Sequence, residues 1–361
     1  MKKNIKVLIA GVGGGGYGLE IMKSLRLSSL SCVIYACDMS KNALGLYIAD
    51  KAYIIPSARS SNYLKVLLKI CLKERIQVLI PGSDHDLARI SENRSVFTDQ
   101  GIFIPINSKE VINLGLDKMM TMESLKVKGF HVPKTILINS LKQVLTIDFM
   151  PVIIKPLTGG GSGNVFIAQD KTEMKFFCQY LINNGQKPLV QEYIGSGNDE
   201  YTVGVLSDQE GVVLCAVGIR RHIFSGLSNR LRIQSRKKNE MLVVSSGISQ
   251  GEIIRDRHIL DQCKRIAIAV QSRGPLNIQC RVVRKKVYVF EINPRLSGTT
   301  YIRALAGINE PDILIRKYVL KEKILKPLLL RYGHVLRGLV EEFIPVSQNK
   351  TYLIGKINEK H

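Results

Sequence analysis

Short apolar segments alternate with helical patterns over the first third of the chain. The predicted strands are Lys6–Ala10, Cys32–Cys37, Val78–Ile80 and Phe103–Pro105, and the predicted helices are Tyr17–Leu27 and Tyr63–Lys73. Strands that alternate with helices are typical of β-α-β units and a parallel sheet. The pattern therefore predicts a Rossmann-like parallel domain over residues 1–112.

The pattern changes after a long predicted helix, from Ser108 to Lys128, which Gly129 ends. Beyond it we predict the strand Val152–Lys155, the helix Lys171–Asn183, the strand Leu189–Tyr193, a hairpin over Tyr201–Val217, the helix Arg255–Arg273, and the hairpin Leu276–Val283 with Lys286–Ile292. Antiparallel hairpins and few helices indicate an α+β domain. We assign it to residues 113–320, with a smaller subdomain at about 132–190. Residues 321–361 are expected to pack back on the body as strand and helix.

Composition and length indicate an ordinary globular chain of 361 residues, 45% hydrophobic and 23% charged. No apolar run approaches the roughly 18 residues that a membrane span needs. The apolar stretch after Met1-Lys2-Lys3 is too short for a signal peptide and continues into glycines. We therefore expect a cytoplasmic protein.

The seven cysteines contain no C-x-x-C pair and the six histidines show no zinc-binding spacing. We therefore interpret the cysteines as reduced core residues.

The charge is strongly positive, with 52 Lys and Arg against 30 Asp and Glu, a net +22. Nucleic-acid binding is one explanation. However, the basic residues are spread along the chain, aromatics are 6%, and no base-stacking motif is present. An anionic substrate, a lysine-rich organism or attraction to a membrane surface explains the charge equally well, and nucleic acid is not favoured.

Gly11, Gly13 and Gly16 form a G-x-G-x-x-G pattern between a predicted strand and helix, and Asp38 ends the next strand. This spacing matches a dinucleotide fingerprint, because glycines admit a ligand to the backbone and a helix N-terminus favours an anion. Gly14 and Gly15 loosen the loop. We keep NAD(P) as an alternative and favour a loop that faces another anionic substrate.

Lys155 ends an apolar strand and is followed by the glycine-rich segment Thr158–Gly163. The backbone N–H groups of such a loop can surround phosphate oxygens beside the lysine. It is no Walker A loop, since the lysine precedes the glycines. A glycine turn with a solvated lysine is the competing interpretation.

Two further segments offer nucleotide and metal chemistry. Leu189–Ile194 presents backbone groups to an adenine edge, and Glu200 a carboxylate to ribose; a strand end with surface acids is the alternative. Glu291, Asn293 and Arg295 share one face of an extended strand, and Gln279 lies on its predicted partner. Carboxylate and amide oxygens suit Mg²⁺, and an arginine beside them can hold a phosphate.

Taken in this order, the segments resemble the ATP-grasp superfamily, in its carbamoyl-phosphate-synthase-like and amino-acid-ligase branch, from about residue 5 to 320. The resemblance implies a Rossmann-like domain followed by an ATP-grasp fold, with a small lid and a larger antiparallel sheet. Since the chain holds one such unit, we expect a protein other than a carbamoyl-phosphate synthase with duplicated halves.

The resemblance also implies roles for particular residues. It implies phosphate contacts for Lys118 and Lys155, a mobile loop of Gly159, Gly160, Gly161, Ser162 and Gly163, a hinge of Gln191, Glu192, Tyr193 and Ile194, and a ribose contact for Glu200. It implies metal ligation by Glu291, Asn293 and Gln279, and catalysis by Arg295 together with Lys155, Arg220 and Arg221. Substrate contacts are expected from Gly13, Gly14, Asp84, Thr299 and Arg303.

The implied reaction needs ATP and Mg²⁺, with Mn²⁺ as an alternative ion. A small carboxylic acid attacks the γ-phosphate, and an amine or another nucleophile then displaces phosphate from the acyl phosphate. Small-molecule acid and amine substrates and a homodimer are the expected partners. Two alternatives remain open: an NAD(P)-dependent enzyme, and a non-catalytic protein that binds nucleotides or polyanions.

Overall fold

The computed structural model describes residues 4–13, 16–160, 163–237, 239–324 and 328–338. The N-terminal domain is a four-stranded parallel sheet in the order β3-β2-β1-β4, with helices on both faces. Its strands are β1 (Ile5–Ala10), β2 (Cys32–Asp38), β3 (Lys51–Ile54) and β4 (Val78–Pro81), and its helices are α1 (Gly18–Leu27), α2 (Gly45–Ile48), α3 (Tyr63–Glu74), α4 (Asp84–Glu92), α5 (Ser95–Thr98) and α6 (Lys109–Leu116).

The side chains of β1 supply both cores of this domain. Leu8 and Ala10 pack against α3 on one face, and Val7 and Ile9 pack against α1 on the other. All four are fully buried, which is why β1 is a continuous apolar run and lacks a polar alternation. The predicted parallel domain is thereby confirmed.

Two predicted elements of this part of the chain are corrected. Phe103–Pro105 is not a strand: only Phe103 makes a parallel bridge, to Val78, because the proline that follows two residues later has no N–H to extend the ladder. The single helix predicted over Ser108–Lys128 is two helices, α6 and α7 (Lys118–Val127). Asp117 lies between them in an extended conformation, and its carboxylate accepts the Met120 N–H at 2.9 Å.

The lid is a four-stranded antiparallel sheet in the order β5-β8-β6-β7, covered by one helix. Its elements are β5 (Thr135–Leu137), a 3-10 turn (Leu141–Thr146), β6 (Val152–Pro156), β7 (Phe166–Ala168), α8 (Lys171–Asn183) and β8 (Pro188–Glu192). Met174, Cys178 and Leu181 of α8 form the buried helix face against β6 and β7.

The large sheet is antiparallel, in the order β15-β14-β9-β10-β13-β16. Its strands are β9 (Glu200–Ser207), β10 (Val213–Arg221), β13 (Gly251–Ile253), β14 (Pro275–Val283), β15 (Lys286–Asn293) and β16 (His334–Val335). The other elements are 3-10 turns (Gly197–Asp199 and Gly226–Ser228), a hairpin of β11 (Asn229–Gln234) and β12 (Met241–Ser245), α9 (Arg257–Ala269), α10 (Thr300–Leu305) and α11 (Glu310–Tyr318). The predicted sequence of a parallel domain and an antiparallel-sheet domain is confirmed.

A β-bulge interrupts the hairpin of β14 and β15. Glu291 lies opposite Gln279, but Cys280 lies opposite Val289, so Phe290 is an extra residue on β15. A bulge reverses the alternation of side chains beyond it. Tyr288 and Phe290 therefore lie on the same side as Glu291.

Most of the predicted C-terminal extension lies outside the described residues. Its described parts are 321–324 and 328–338, and the second contributes the short strand β16, which pairs with β13. In the ranges that the structure describes, no helix has the length and apolarity needed to cross a membrane.

Candidate nucleotide and metal site

A cleft lies between the lid sheet and the large sheet. It gathers side chains from α7, β6, the segment after β8, β12, and the β14–β15 hairpin. The sequence-predicted residues that line it are Lys118, Lys155, Gly159, Gly160, Gly163, Gln191, Glu192, Tyr193, Ile194, Glu200, Gln279 and Glu291. Residues that are up to about 170 positions apart in the chain thus meet around one space.

Lys155 projects from β6 into the wall of this cleft and is 5% exposed. Its ammonium donates to Gln191 Oε1 at 2.9 Å and to the carbonyl of Phe290, the bulge residue, at 3.3 Å. Burial lowers the pKa of the Lys155 ammonium to about 8, although the nearby Glu291 carboxylate acts in the opposite direction. Lys118 begins α7 and donates to the Gly159 carbonyl at 2.6 Å, which ties the glycine loop to the cleft.

The glycine loop meets the N-terminal domain. Gly159 has φ of +103°, a backbone conformation that favours glycine. A Cβ on Gly160 would lie 2.8 Å from Asp84 Oδ2, so the loop passes directly over the first residue of α4. Gly161 and Ser162, also predicted as phosphate contacts, lie outside the described residues.

Glu291, Asn293 and Arg295 form a chain of hydrogen bonds. Asn293 Nδ2 donates to Glu291 Oε1 at 3.2 Å, and Arg295 Nη2 donates to Asn293 Oδ1 at 3.0 Å. Arg295 Nε donates to Asp84 Oδ1 at 3.0 Å, and its guanidinium lies over the Tyr17 ring at 4.4 Å. The arginine is thereby fixed between the two domains beside the candidate metal ligands.

The donor set at this face fits a hard cation. It consists of one carboxylate and two side-chain amides, from Glu291, Asn293 and Gln279, on facing strands. Mg²⁺ binds through few protein oxygens and keeps phosphate oxygens and waters in its shell. In the ranges that the structure describes, no group of three or more His, Cys, Asp or Glu residues is placed to hold a metal ion.

Glu200 lies in the cleft wall, as the sequence predicts, but its carboxylate already has partners. Arg221 Nη1 donates to Oε1 at 2.9 Å, and Arg281 donates to Oε2 through Nε at 3.2 Å and Nη2 at 3.1 Å. Since a carboxylate has about four lone-pair positions, about one remains for a ribose hydroxyl.

Arg220 and Arg221, which the resemblance implies as catalytic residues, are not among the residues that line the cleft. Arg221 is 4% exposed and its guanidinium is held by Glu200 and the carbonyl of Ser246. Arg220 is exposed and lines a separate surface depression with Tyr201 and Arg255. Adjacent residues of a strand face opposite sides.

Arg303 and Thr299 are buried on the same face of the large sheet as Gln279, where a Cβ on Gly204 would meet the Arg303 side chain and the Thr299 hydroxyl donates to Asn277 Oδ1 at 3.4 Å. Arg303 is 1% exposed, pairs with Glu310 at 2.6 Å, and donates to the Thr299 hydroxyl. Thr299 is 3% exposed. The ion pair joins α10 to α11. The substrate contacts expected from Arg303 and Thr299 stay predictions.

Glu310→Gln is expected to lower the free energy of unfolding by about 3 kcal/mol or more, because it leaves Arg303 buried without its counter-ion. Urea unfolding measures the effect. Asp261→Asn removes the partner of exposed Lys264 and should leave the unfolding midpoint unchanged. Equal midpoints for both variants would contradict the prediction.

Several cleft residues were not predicted from the sequence. They are Arg281, Tyr288, Phe290 and the β12 segment Val243, Val244 and Ser245. Arg281 shares a strand face with Gln279, so strict alternation could have identified it. Tyr288 and Phe290 depend on the bulge, and β12 comes to the cleft only by tertiary packing.

A second cavity, of about 650 Å³, lies at the carboxyl ends of the parallel strands. Gly13 lines it, and Gly14 lies outside the described residues. Asp38 Oδ2 accepts the N–H groups of Val12 and Gly13 at 2.8 and 2.9 Å. The Asp38 carboxylate therefore occupies two backbone N–H groups of the glycine loop that a pyrophosphate would need. This arrangement counts against a dinucleotide site.

Comparison with known proteins gives matches over most of the chain. The family model for the PylC-like N-terminal domain matches residues 7–105, and that for the ATP-grasp in the biosynthetic pathway with Ter operon matches residues 185–329. The carbamoyl phosphate synthase large chain of Clostridium beijerinckii is 24% identical over 330 residues, 87% of this chain. The chain spans only 29% of that protein's length.

Solved structures share the fold at low identity. An L-amino acid ligase from Bacillus licheniformis has a TM-score of 0.63 and 14% identity, over 91% of this chain and 76% of that one. The biotin carboxylase domain dimer of the Hydrogenobacter thermophilus 2-oxoglutarate carboxylase, in complex with MgADP, ADP and bicarbonate, has a TM-score of 0.60 and 18% identity, over 91% and 73%. The two family models identify a PylC-like N-terminal domain over residues 7–105 and an ATP-grasp domain over residues 185–329 of this chain.

Proposed function

We propose that this protein is an ATP-dependent ligase that joins a small anionic carboxylic acid to an amine. The supporting observation is that Lys155, the glycine loop and the Gln279–Glu291 pair face one cleft, with Arg295 fixed next to Glu291 and Asn293. Family likeness supports ATP as the nucleotide: a solved relative of this fold holds MgADP. The identities of the acid and of the amine are left open.

Each end of the nucleotide has candidate partners. Gln191 to Ile194 would face the adenine edge, and Glu200 a ribose hydroxyl through its remaining lone pair. Lys118, Lys155 and the loop from Gly159 would contact the phosphates. Gln279, Glu291 and Asn293 would hold Mg²⁺, or Mn²⁺ in its place, which neutralises phosphate charge when bound.

The reaction would proceed in two steps. A carboxylate oxygen of the acid attacks the γ-phosphorus, the bond to the β-bridging oxygen breaks, and ADP leaves. The amine nitrogen then attacks the acyl carbon, phosphate leaves, and the nitrogen loses a proton to give an amide. Catalysis rests on positioning and charge neutralisation, so no nucleophilic side chain is needed. Arg295 would stabilise charge on the transferring phosphoryl group.

The test is a matrix of carboxylic acids and amines with ATP and Mg²⁺, read by ADP release and by mass spectrometry of the amide. The proposal expects ADP release that needs both an acid and an amine. ADP at background in every mixture, with ATP still bound, would support a non-catalytic nucleotide-binding protein. Tight NADH binding in fluorescence titration, with no binding of an ATP analogue, would support the NAD(P) alternative.

ATP affinity is expected to fall as the pH rises above about 8. The pKa of the buried Lys155 ammonium is about 8, and only the protonated side chain attracts phosphate. At pH 9 most ATP-free protein has a neutral Lys155, so ATP binding must be accompanied by protonation of this lysine, which weakens the observed affinity. The Kd for ATP should be about tenfold weaker at pH 9 than at pH 7. Isothermal titration calorimetry measures it.

The control for this pH effect is Lys155→Arg, whose guanidinium stays protonated throughout the range. Its Kd should change less than about threefold between pH 7 and pH 9. An identical pH dependence in both proteins would contradict the assignment to Lys155.

A further inference from the structure

Arg281 occupies the base end of the cleft, opposite to the expected position of the reacting phosphate. It lies on β14 two residues after Gln279, and its side chain is 9% exposed. Its guanidinium donates to the Ile194 carbonyl at 3.0 Å and to the Val243 carbonyl at 3.1 Å. The same group lies over the Tyr193 ring, 4.3 Å from its centre.

These partners belong to separate elements. Tyr193 and Ile194 follow β8 of the lid, Val243 lies in β12, and Glu200 begins β9 of the large sheet. Tyr193 is also tied to β12, because its hydroxyl accepts the Val243 N–H at 2.8 Å. A planar guanidinium with five donors can hold several such groups at fixed angles, which an ammonium cannot.

The orientation of Glu200 depends on the same arginine. Arg281 supplies two of the three hydrogen bonds that the Glu200 carboxylate accepts, and both go to Oε2. Arg221 supplies the third, to Oε1. Because Arg281 occupies Oε2, the lone pair that remains for a ligand is on Oε1, and the two arginines together fix where it points. None of the contacts of Arg281 given above involves Glu291, Asn293 or Arg295.

We propose that Arg281 is a positioning residue that makes the site selective for a ribonucleotide, by fixing the hinge and the Glu200 carboxylate together. This inference rests on the proposed function, since it takes the cleft to bind ATP. It assigns Arg281 to nucleotide binding and selectivity, and not to the transfer of the phosphoryl group.

The test compares ATP with 2′,3′-dideoxy-ATP, which lacks both ribose hydroxyls, in wild type, Arg281→Met, Arg281→Lys and the exposed control Lys286→Met. Calorimetry gives the Kd of each nucleotide with Mg²⁺, and steady-state assays give KM and kcat. Arg281→Met should weaken ATP binding by about 10- to 100-fold, the scale of a lost charged hydrogen bond. The variant should keep kcat within about threefold of the wild-type value. The ratio of the Kd for 2′,3′-dideoxy-ATP to the Kd for ATP should fall towards 1.

Arg281→Lys should lose less ATP affinity than Arg281→Met, and Lys286→Met should bind ATP as tightly as wild type. If Arg281→Met does not fold, Glu200→Gln tests the same point, because it should also bring the ratio towards 1. If Arg281→Met binds ATP with a Kd within twofold of wild type, or loses the same factor of affinity for both nucleotides, the proposed role of Arg281 is wrong, while the proposed function of the protein still stands. Wild-type protein that binds neither nucleotide would overturn the proposed function as well.

Discussion

Glu291→Gln is expected to lower the rate of acid- and amine-dependent ADP release by a factor of about 100 to 1,000, the scale found when one preorganised charge-stabilising group is lost. Glu291 is the one carboxylate of the candidate metal face, and its partners there, Gln279 and Asn293, are neutral amides. Glutamine keeps the shape and one oxygen but removes the negative charge that attracts Mg²⁺. The loss should be largest in kcat, because Mg²⁺ stabilises charge that develops during phosphoryl transfer.

The measurement is the initial rate of ADP release as a function of Mg²⁺ concentration. Glu291→Gln should need more Mg²⁺ for half-maximal rate, and excess Mg²⁺ should restore only part of the activity. Glu123→Gln, at an exposed position of α7, is the matched control and should behave as wild type. If the Glu291→Gln variant has the wild-type rate and Mg²⁺ dependence, Glu291 does not bind the metal, and the candidate metal site is wrong.

Arg295→Lys is expected to lower kcat by about 100-fold, with less than a threefold change in KM for ATP. The guanidinium reaches Asp84, Asn293 and the Tyr17 ring at the same time. Lysine retains the charge but cannot present two donors in fixed directions, so the charge is no longer held where the phosphoryl group would transfer.

The corresponding control is Arg316→Lys, since Arg316 also pairs with two carboxylates, Asp312 and Glu322, but lies on α11 away from the cleft. It should retain wild-type kcat. Asp84→Asn should give a smaller loss than Arg295→Lys, because Asn293 still orients the arginine. A rise in KM with unchanged kcat in Arg295→Lys would show that Arg295 acts in ground-state binding alone.

The local pattern of the sequence predicted the elements whose signal lies within a few residues. Strands β1, β2 and β4, the helix Lys171–Asn183 and the two long hairpins follow from apolar spacing and turn residues, whereas β3 was not predicted. Errors arose where a single residue changed the outcome. Asp117 divided one predicted helix, and Pro105 prevented a strand.

The candidate site was predicted less completely than the fold. Alternation along one strand placed Glu291 and Asn293 together, because period-two geometry is local. The bulge at Phe290 is not marked by glycine or proline, yet it brings Phe290 and Tyr288 into the cleft and supplies the carbonyl that receives Lys155. Arg220 and Arg221 were implied by the resemblance and by the basic segment that contains them, and neither indicates which face of a sheet a side chain takes.

Local periodicity in the sequence determined the order of the two domains, and the resemblance to the ATP-grasp superfamily implied most of the residues that line the cleft. Only the tertiary structure decided which charges are available to a ligand. Glu200 appears in the sequence as a free acid, yet it is held by Arg221 and Arg281, which lie 21 and 81 residues away. Arg295 is held by Asp84, 211 residues away, in the other domain. The energy of a buried charge depends on the partner that tertiary packing places beside it. That partner cannot be predicted from the residues adjacent in sequence.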